Sequence, residues 1–175
     1  MATTREEKRN LLNRLAGELG QPEDVERASL FTAEELEAPM DVVRCLITET
    51  GADLLDLLAE CFFLPVQDEE DVMYFNIMVT LIQEMKDDIA PLAEALSRLN
   101  IFLPIGCFAV DEENGVVFKI SVPMLYRTPD EDKMTTMLTA FDTAMGILDK
   151  YESYIMLVAT GEIEPGEMMD LILNR

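Results

Sequence analysis

Carboxylates are the side chains in this sequence whose spacing comes closest to a catalytic arrangement. Two sets have the three-residue spacing that places side chains on one face of a helix: Glu34 with Glu37, and Glu164 with Glu167 and Asp170. Carboxylate oxygens are the ligands that Mg²⁺ prefers, so a carboxylate-metal hydrolase is the enzymatic alternative. With 35 Asp and Glu in the chain, however, such spacings arise by chance. We therefore predict no metal site and no catalytic residues.

Other common catalytic devices are missing from the sequence. It contains no histidine, which excludes Ser-His-Asp and Cys-His nucleophilic centres and zinc sites with imidazole ligands. Neither the phosphate loop GxxxxGK[ST] nor the dinucleotide fingerprint GxGxxG occurs. We predict a protein that is not an enzyme and needs no cofactor.

The charge of the chain restricts its partners. Against the 35 acidic residues stand 13 Lys and Arg, a formal net charge of −22. Nucleic acids and anionic membrane surfaces are bound by cations, so neither is expected as a partner. Most of this charge is expected to be solvated surface, and a basic protein partner is the other interpretation.

The cysteines and the apolar segments indicate a cytoplasmic protein. Cys45, Cys61 and Cys107 are dispersed in apolar segments without metal-ligand spacing, which is typical of reduced, buried thiols in a reducing compartment. The N-terminus mixes acidic and basic residues and has no continuous apolar region, so we expect no signal peptide. The longest apolar stretch, 72–82, is too short to span a bilayer.

Punctuation and periodicity predict one domain, 1–175, in three parts. Residues 1–39 are predicted to form an amphipathic helix (4–19) and an acidic connector with a short capped turn at 32–37. Residues 40–160 are predicted to form an α+β core, and residues 161–175 a short helix. The core begins with three pieces of strand length between 41 and 83. Residues 74–81 alternate with a period of two, which suits a half-buried strand. The middle piece, 54–64, is leucine-rich and fits a strand or a helix.

The second half of the core has stronger local signals. A helix is predicted over 86–100 with Asp87 or Asp88 as its cap, followed by two strands joined by an Asn-Gly turn at 112–115. The sequence Thr-Pro-Asp-Glu at 128–131 predicts a capping box that starts a long helix reaching about residue 159. The order α-β-β-β-α-β-β-α predicts an α+β fold: an antiparallel five-stranded sheet with helices packed mainly on one face.

Residues 96–125, LSRLNIFLPIGCFAVDEENGVVFKISVPML, carry a family resemblance. The shared features are a helix ending in Arg98-Leu99-Asn100, a strand with Pro104, Gly106, Phe108 and Asp111, the Asn-Gly hairpin, and a returning strand that closes on Val122-Pro123. In these features the chain resembles the YbjN-like family, which has the type III secretion chaperone-like fold, over roughly residues 70–160. The resemblance implies small, acidic bacterial cytosolic proteins, often homodimers, that bind extended segments of client proteins or act in regulation. It brings no catalytic residues.

Twelve methionines provide the remaining clue to a partner surface. Flexible thioether side chains suit surfaces that fit varied apolar partners, although core filling is the alternative. We predict a protein-binding homodimer, acting as an adaptor, regulator or secretion-chaperone-like protein, in which exposed apolar residues supply the affinity. The candidate partner-binding residues lie on one strand and on the terminal helix: Tyr74, Met78, Ile82, Met168, Met169 and Ile172.

Overall fold

The computed structural model describes residues 4–21, 25–50, 55–65, 71–82, 89–111 and 115–174. These residues form five helices and six strands. In chain order the elements are α1 (Thr4–Leu19), β1 (Val25–Phe31), α2 (Ala33–Leu36), β2 (Val42–Thr50), β3 (Leu55–Phe63), β4 (Val72–Ile82), α3 (Ala90–Asn100), β5 (Cys107–Asp111), β6 (Gly115–Leu125), α4 (Asp130–Thr160) and α5 (Pro165–Leu173).

The strands form one antiparallel sheet in the order β1-β2-β3-β4-β6-β5. The α+β class and the antiparallel sheet are confirmed, but the predicted count of five strands is wrong. The sixth strand, β1, lies in the segment interpreted as a connector. Its pairing with β2, from Arg27 opposite Leu46 to Phe31 opposite Val42, is a tertiary contact that its own irregular pattern does not reveal.

The leucine-rich segment 54–64, for which the sequence fits a strand or a helix, contains the strand β3. Leu57, Ala59 and Cys61 of β3 are buried on one face, whereas Leu58 and Glu60 between them are half-buried on the other. β3 pairs with β2 on one side and β4 on the other. Cross-strand pairing on both sides therefore outweighs the helix propensity of its leucines.

Two predicted helix caps are wrong. The N-cap of α4 is Pro129, and no side chain there bonds to the helix, so Thr128 and Glu131 form no capping box. The N-cap of α3 is Ile89, also without a side-chain bond, and Asp87 and Asp88 lie outside the described residues. The capping box predicted for the short turn is confirmed, since Thr32 and Glu35 bond each other's backbone at the start of α2.

The strands β5 and β6 pair directly, from Cys107 opposite Lys119 to Asp111 opposite Gly115. The intervening residues 112–114 lie outside the described residues, and so do the predicted loops at 51–53 and 67–70. Gly115 has φ 76°, a conformation that glycine adopts without steric cost.

The core lies on one face of the sheet, which we call the covered face. Inward-pointing residues of all six strands form a single hydrophobic cluster with residues of α1, α3, α4 and α5. Its largest fully buried strand side chains are Leu57, Met73, Phe75, Ile77, Phe118 and Ile120. Across the described residues, no helix is both long and apolar enough to cross a membrane.

Ion pairs attach α1 to this assembly. The Lys133 ammonium of α4 is 1% exposed and lies 2.6 Å from the Glu7 carboxylate. Arg9 donates two hydrogen bonds to Asp41, at 2.8 and 2.9 Å, and the Ala33 N–H donates a third to the same carboxylate. The bond from Arg9 is the main cause of a lowered pKa at Asp41, and burial partly opposes it.

Candidate functional site: the open face of the sheet

The opposite face of the sheet has no helix over it among the described elements, and we call it the open face. Its large apolar side chains belong to no part of the hydrophobic core cluster, although three of them are buried by their neighbours. The large apolar residues of the open face are Phe31, Val42, Leu46, Leu58, Phe62, Val72, Tyr74, Met78, Val117 and Leu125.

Strand register arranges the open face in rows that run across the sheet. The first row reads Phe31, Val42, Phe62, Asn76 and Ser121; the second reads Ser29, Arg44, Glu60, Met78, Lys119 and Cys107; the third reads Arg27, Leu46, Leu58, Thr80, Val117 and Ala109. Neighbours in a row are about 4.8 Å apart in the hydrogen-bonding direction of a sheet. Arg44 and Glu60 of the second row are therefore bordered by apolar residues on both sides, and Lys119 by Val117 on one side.

The open face carries little of the protein's negative charge. Its described charged side chains are three cations and three carboxylates, which cancel: Arg27, Arg44, Lys119, Glu26, Asp56 and Glu60. The described side chains of the open face therefore carry no net charge, in a chain whose formal net charge is −22. A partner that contacts these side chains meets apolar and electrically balanced groups.

Two of the three cations of the open face have no ion pair within the described residues. Arg44 donates to Glu60 at 2.8 Å, and its guanidinium lies 5.5 Å from the centre of the Phe31 ring. Arg27 and Lys119 make no such contact in the described part of the chain. In a protein with so many carboxylates, unpaired cations on a half-apolar face are groups that a partner can neutralise.

A groove of about 550 Å³ runs over the open face where β1, β2 and β3 meet. It is lined by Phe31, Leu46 and Leu58, together with Arg27 and Arg44. A second concavity, about 260 Å³, lies at the start of α1, but Arg5 and Asp41 on its wall are already bonded to Glu34 and Arg9. Of these two concavities in the described part of the chain, the open-face groove combines apolar surface with Arg27, a cation that has no ion pair there.

Asn76 is a buried polar residue on the open face. Its side chain has no exposed surface, and its Nδ2 donates to the Tyr74 carbonyl at 3.1 Å. Its Oδ1 is buried without a hydrogen-bond partner among the described residues. A buried carbonyl oxygen without a hydrogen-bond partner costs free energy, so Asn76 is locally unfavourable beside the apolar Phe62. The sequence showed Asn76 only as an interruption of an apolar stretch.

The three candidate partner-binding residues of β4 do not all lie on the same face of the sheet. Tyr74 and Met78 lie half-buried on the open face, as their alternation implied. A β-bulge after Thr80 shifts the register, so Ile82 lies opposite the buried Val116 and packs partly against the core. Ile82 is therefore removed from the candidate surface, because a one-residue slip changes the face that a side chain occupies.

The predicted residues of α5 are not on the surface. Met168 has no exposed surface and Met169 is 7% exposed, while Ile172 is partly buried against the core. Packing of α5 against α3 and α4 covers these side chains, which corrects the expectation that they contact a partner. Leu171 and Leu173 are the exposed apolar residues of this helix.

The segment between α3 and β5 exposes apolar residues that sequence reasoning did not select. Ile101 is 79% exposed and Phe102 50%, and Ile105 is also exposed. Beside them the Asn100 amide bonds both the N–H and the carbonyl of Phe108, at 2.8 and 2.9 Å. This side chain therefore occupies part of the free edge of β5, where another strand would otherwise pair.

Gly106 precedes β5 and has φ 77°. A Cβ atom at this position would lie 2.8 Å from the Lys119 carbonyl oxygen, so no side chain fits there. The strand after it holds Cys107, which is exposed, contrary to the expectation that all three thiols are buried. Burial raises the pKa of Cys45 to about 12 and raises the pKa of Cys61 well above its ordinary value.

The predicted carboxylate sets form no metal centre in the described part of the chain, where no group of three or more His, Cys, Asp and Glu is placed to hold an ion. Glu34 bonds Arg5 and Arg9. Helix α2 ends before Glu37, which has a left-handed backbone, so the two glutamates do not share a continuous helix face.

Comparisons with known proteins add no identification. No protein-family model matches the chain, and a search of curated proteins finds no significant match. The arguments for function therefore come from the geometry of the open face and from the resemblance carried by residues 96–125.

Proposed function

We propose that this chain is a non-enzymatic protein-binding module and that the open face of its sheet is the binding surface. One observation carries the proposal: helices pack on one face of the sheet, while the other presents large apolar side chains in register with few charges. Most of these side chains keep part of their surface accessible to solvent, and clustered apolar surface is characteristic of interaction sites.

The composition of the open face also fits protein binding better than small-molecule binding. Its aromatic and methionine side chains, Phe31, Phe62, Tyr74 and Met78, are residue types enriched in the centres of protein interfaces. The groove on this face is open to solvent, whereas small-molecule sites bury most of the surface of their ligand. Charged neighbours such as Arg44 and Glu60 would orient a partner, and apolar contacts would supply most of the affinity.

The resemblance of residues 96–125 to the YbjN-like family supports the same proposal and refines it. We propose a cytoplasmic adaptor, regulator or secretion-chaperone-like protein, built on the type III secretion chaperone-like fold and working as a homodimer. The net charge of −22 disfavours nucleic acid and anionic membranes as the target, because a chain of this charge repels polyanions.

A capture experiment with paired variants tests this function. The tagged chain and its Met78→Asp variant are used to capture proteins from native cell extract. Leu171→Asp is the matched control, because it makes the same kind of change at an exposed apolar residue of α5, away from the open face. We expect Met78→Asp to lose the specifically captured proteins and Leu171→Asp to retain them. Equal recovery with all three folded chains would contradict the proposed surface.

A further inference from the structure

We infer that the open face fits a second copy of itself, with a two-fold axis parallel to β4 that passes over Met78. This inference rests on the proposed function, since it names one protein that the open face binds. The two sheets would pack face to face about 10 Å apart, as in a sandwich, and the helices of each copy would lie on the outside.

The register around β4 supplies the self-complementarity that such an axis requires. Glu60 on β3 and Lys119 on β6 are both opposite Met78, so they lie at equal distances on either side of β4. Rotation about the axis brings Glu60 of one copy over Lys119 of the other, and the reverse pair forms at the same time. Two ion pairs would then flank a contact between the two Met78 side chains.

The neighbouring rows obey the same relation. Leu58 and Val117 are both opposite Thr80, so each would face the other residue of the second copy. The contact at this row would be apolar on both sides of the axis. Lys119, which has no ion pair within the described residues of one chain, would gain a carboxylate partner in the dimer.

The distribution of charge favours a second copy at this face. Two chains of −22 repel each other, and a contact through α4, which carries six carboxylates and two cations, would bring like charges together. The described charges of the open face cancel, so a contact through these side chains adds no net repulsion of its own. The open face is therefore electrostatically more favourable than α4 as the contact between two such chains.

The size of the open face is sufficient. With the axis over β4, the five strands from β2 to β5 in the sheet order overlap and β1 lies outside the contact. Five strands spaced about 4.8 Å apart and about eight residues long cover roughly 600 Å² per copy, or roughly 1,200 Å² for two copies. Stable interfaces bury about 1,200–2,000 Å² in total, so the face falls within the range of specific dimers. Another protein could then reach the open face only by competing with self-association, which links the two binding events.

A charge exchange tests the axis. The wild-type chain, Lys119→Glu, Glu60→Lys and an equimolar mixture of the two variants are compared by sedimentation velocity at physiological salt. We expect the wild type to be dimeric and each variant alone to self-associate at least about tenfold more weakly, because both symmetric pairs become repulsive. The mixture should restore dimers, since both of its pairs are complementary. A monomeric wild type, or a mixture no better than its components, would overturn the inference.

Crosslinking provides a second measurement in case Glu60→Lys, which leaves Arg44 without its partner, fails to fold. In a Cys107→Ser background, Met78→Cys on the axis should crosslink to its own copy with a short bismaleimide. Leu46→Cys, two strands away from β4, should not. Equal crosslinking at both positions, or none at position 78, would contradict the axis. If the wild type is monomeric but Met78→Asp still loses captured proteins, the dimer is wrong, whereas the open face stands as the surface that binds other proteins.

Discussion

The two faces of the sheet are made from the same strands and differ in what covers them. Met73, Phe75 and Ile77 alternate along β4 with Tyr74, Asn76 and Met78, yet the first set lies under helices and the second does not. Apolar side chains under the helices stabilise the fold of one chain. On the open face Val42, Phe62 and Val117 are buried by their neighbours, whereas half-buried side chains such as Tyr74 and Met78 keep apolar surface that a bound partner would cover.

The largest expected difference between the faces is in stability. Ile77→Ala removes a fully buried side chain from the covered face and should lower the free energy of unfolding by about 2–5 kcal/mol. Met78→Ala, the next residue on the same strand, should cost less than about 1.5 kcal/mol, because Met78 is only half-buried. Urea unfolding at protein concentrations low enough to keep the chains monomeric measures both. Equal losses would mean that the open face is part of the core.

Asn100 and Asn76 differ in their hydrogen bonds, and substituting each of them should affect stability differently. Asn100→Ala should lower the free energy of unfolding by about 1–3 kcal/mol, because it leaves the Phe108 N–H and carbonyl without their partner. Asn76→Leu should be neutral or stabilising by up to about 1 kcal/mol, because it replaces a buried carbonyl that has no partner in the described structure. Thermal unfolding of both variants is the measurement. A large loss for Asn76→Leu would show that the buried amide is fully satisfied.

A smaller effect on stability is expected at the ion pair between Arg9 and Asp41, which attaches α1 to the rest of the fold. No described helix is attached to the open face in this way. The pKa of Asp41 is lowered in the folded chain, chiefly by its bond from Arg9, so its contribution is present above the unfolded pKa of about 3.9 and is lost as the pH falls further. Asp41→Asn should cost about 1–2 kcal/mol at pH 7 and flatten the acid limb of the stability curve.

Glu131→Gln is the control for this pH dependence. Its carboxylate pairs with Arg14 on the surface and is 83% exposed, so the substitution should change the free energy of unfolding by less than about 1 kcal/mol. Unfolding at neutral pH and again near pH 3 separates the two variants. An acid limb that is unchanged in Asp41→Asn would remove Asp41 as its source.

Local signals predicted the elements whose conformation depends on neighbouring residues. The alternation in β4, the amphipathic α1 and the strands of the hairpin all appear within a few residues of their expected positions. The strand β1 and the bulge near Ile82 could not be predicted, because each depends on the register of a partner strand. Tyr74 and Met78 were found from alternation alone, whereas the pairing of Glu60 and Lys119 about Met78 needed the order of the strands.

The same dependence on tertiary contacts explains why the residues predicted as exposed on the C-terminal helix α5 are buried. Met168 and Met169 lie in a short terminal segment, where exposed partner-binding residues are expected. In the structure, however, α5 packs on α3 and α4 and these side chains are buried. No pattern inside a nine-residue helix shows which of its faces another helix will cover. The short, apolar segment was consistent with either outcome.

Oxidative footprinting of methionines tests most directly whether the open face binds protein. Met78 reports on the open face, and Met156, half-buried on α4, reports on the helical side. As the concentration of the chain or of a captured partner rises, we expect oxidation of Met78 to fall while oxidation of Met156 stays constant. Protection of Met156 with no change at Met78 would contradict the account.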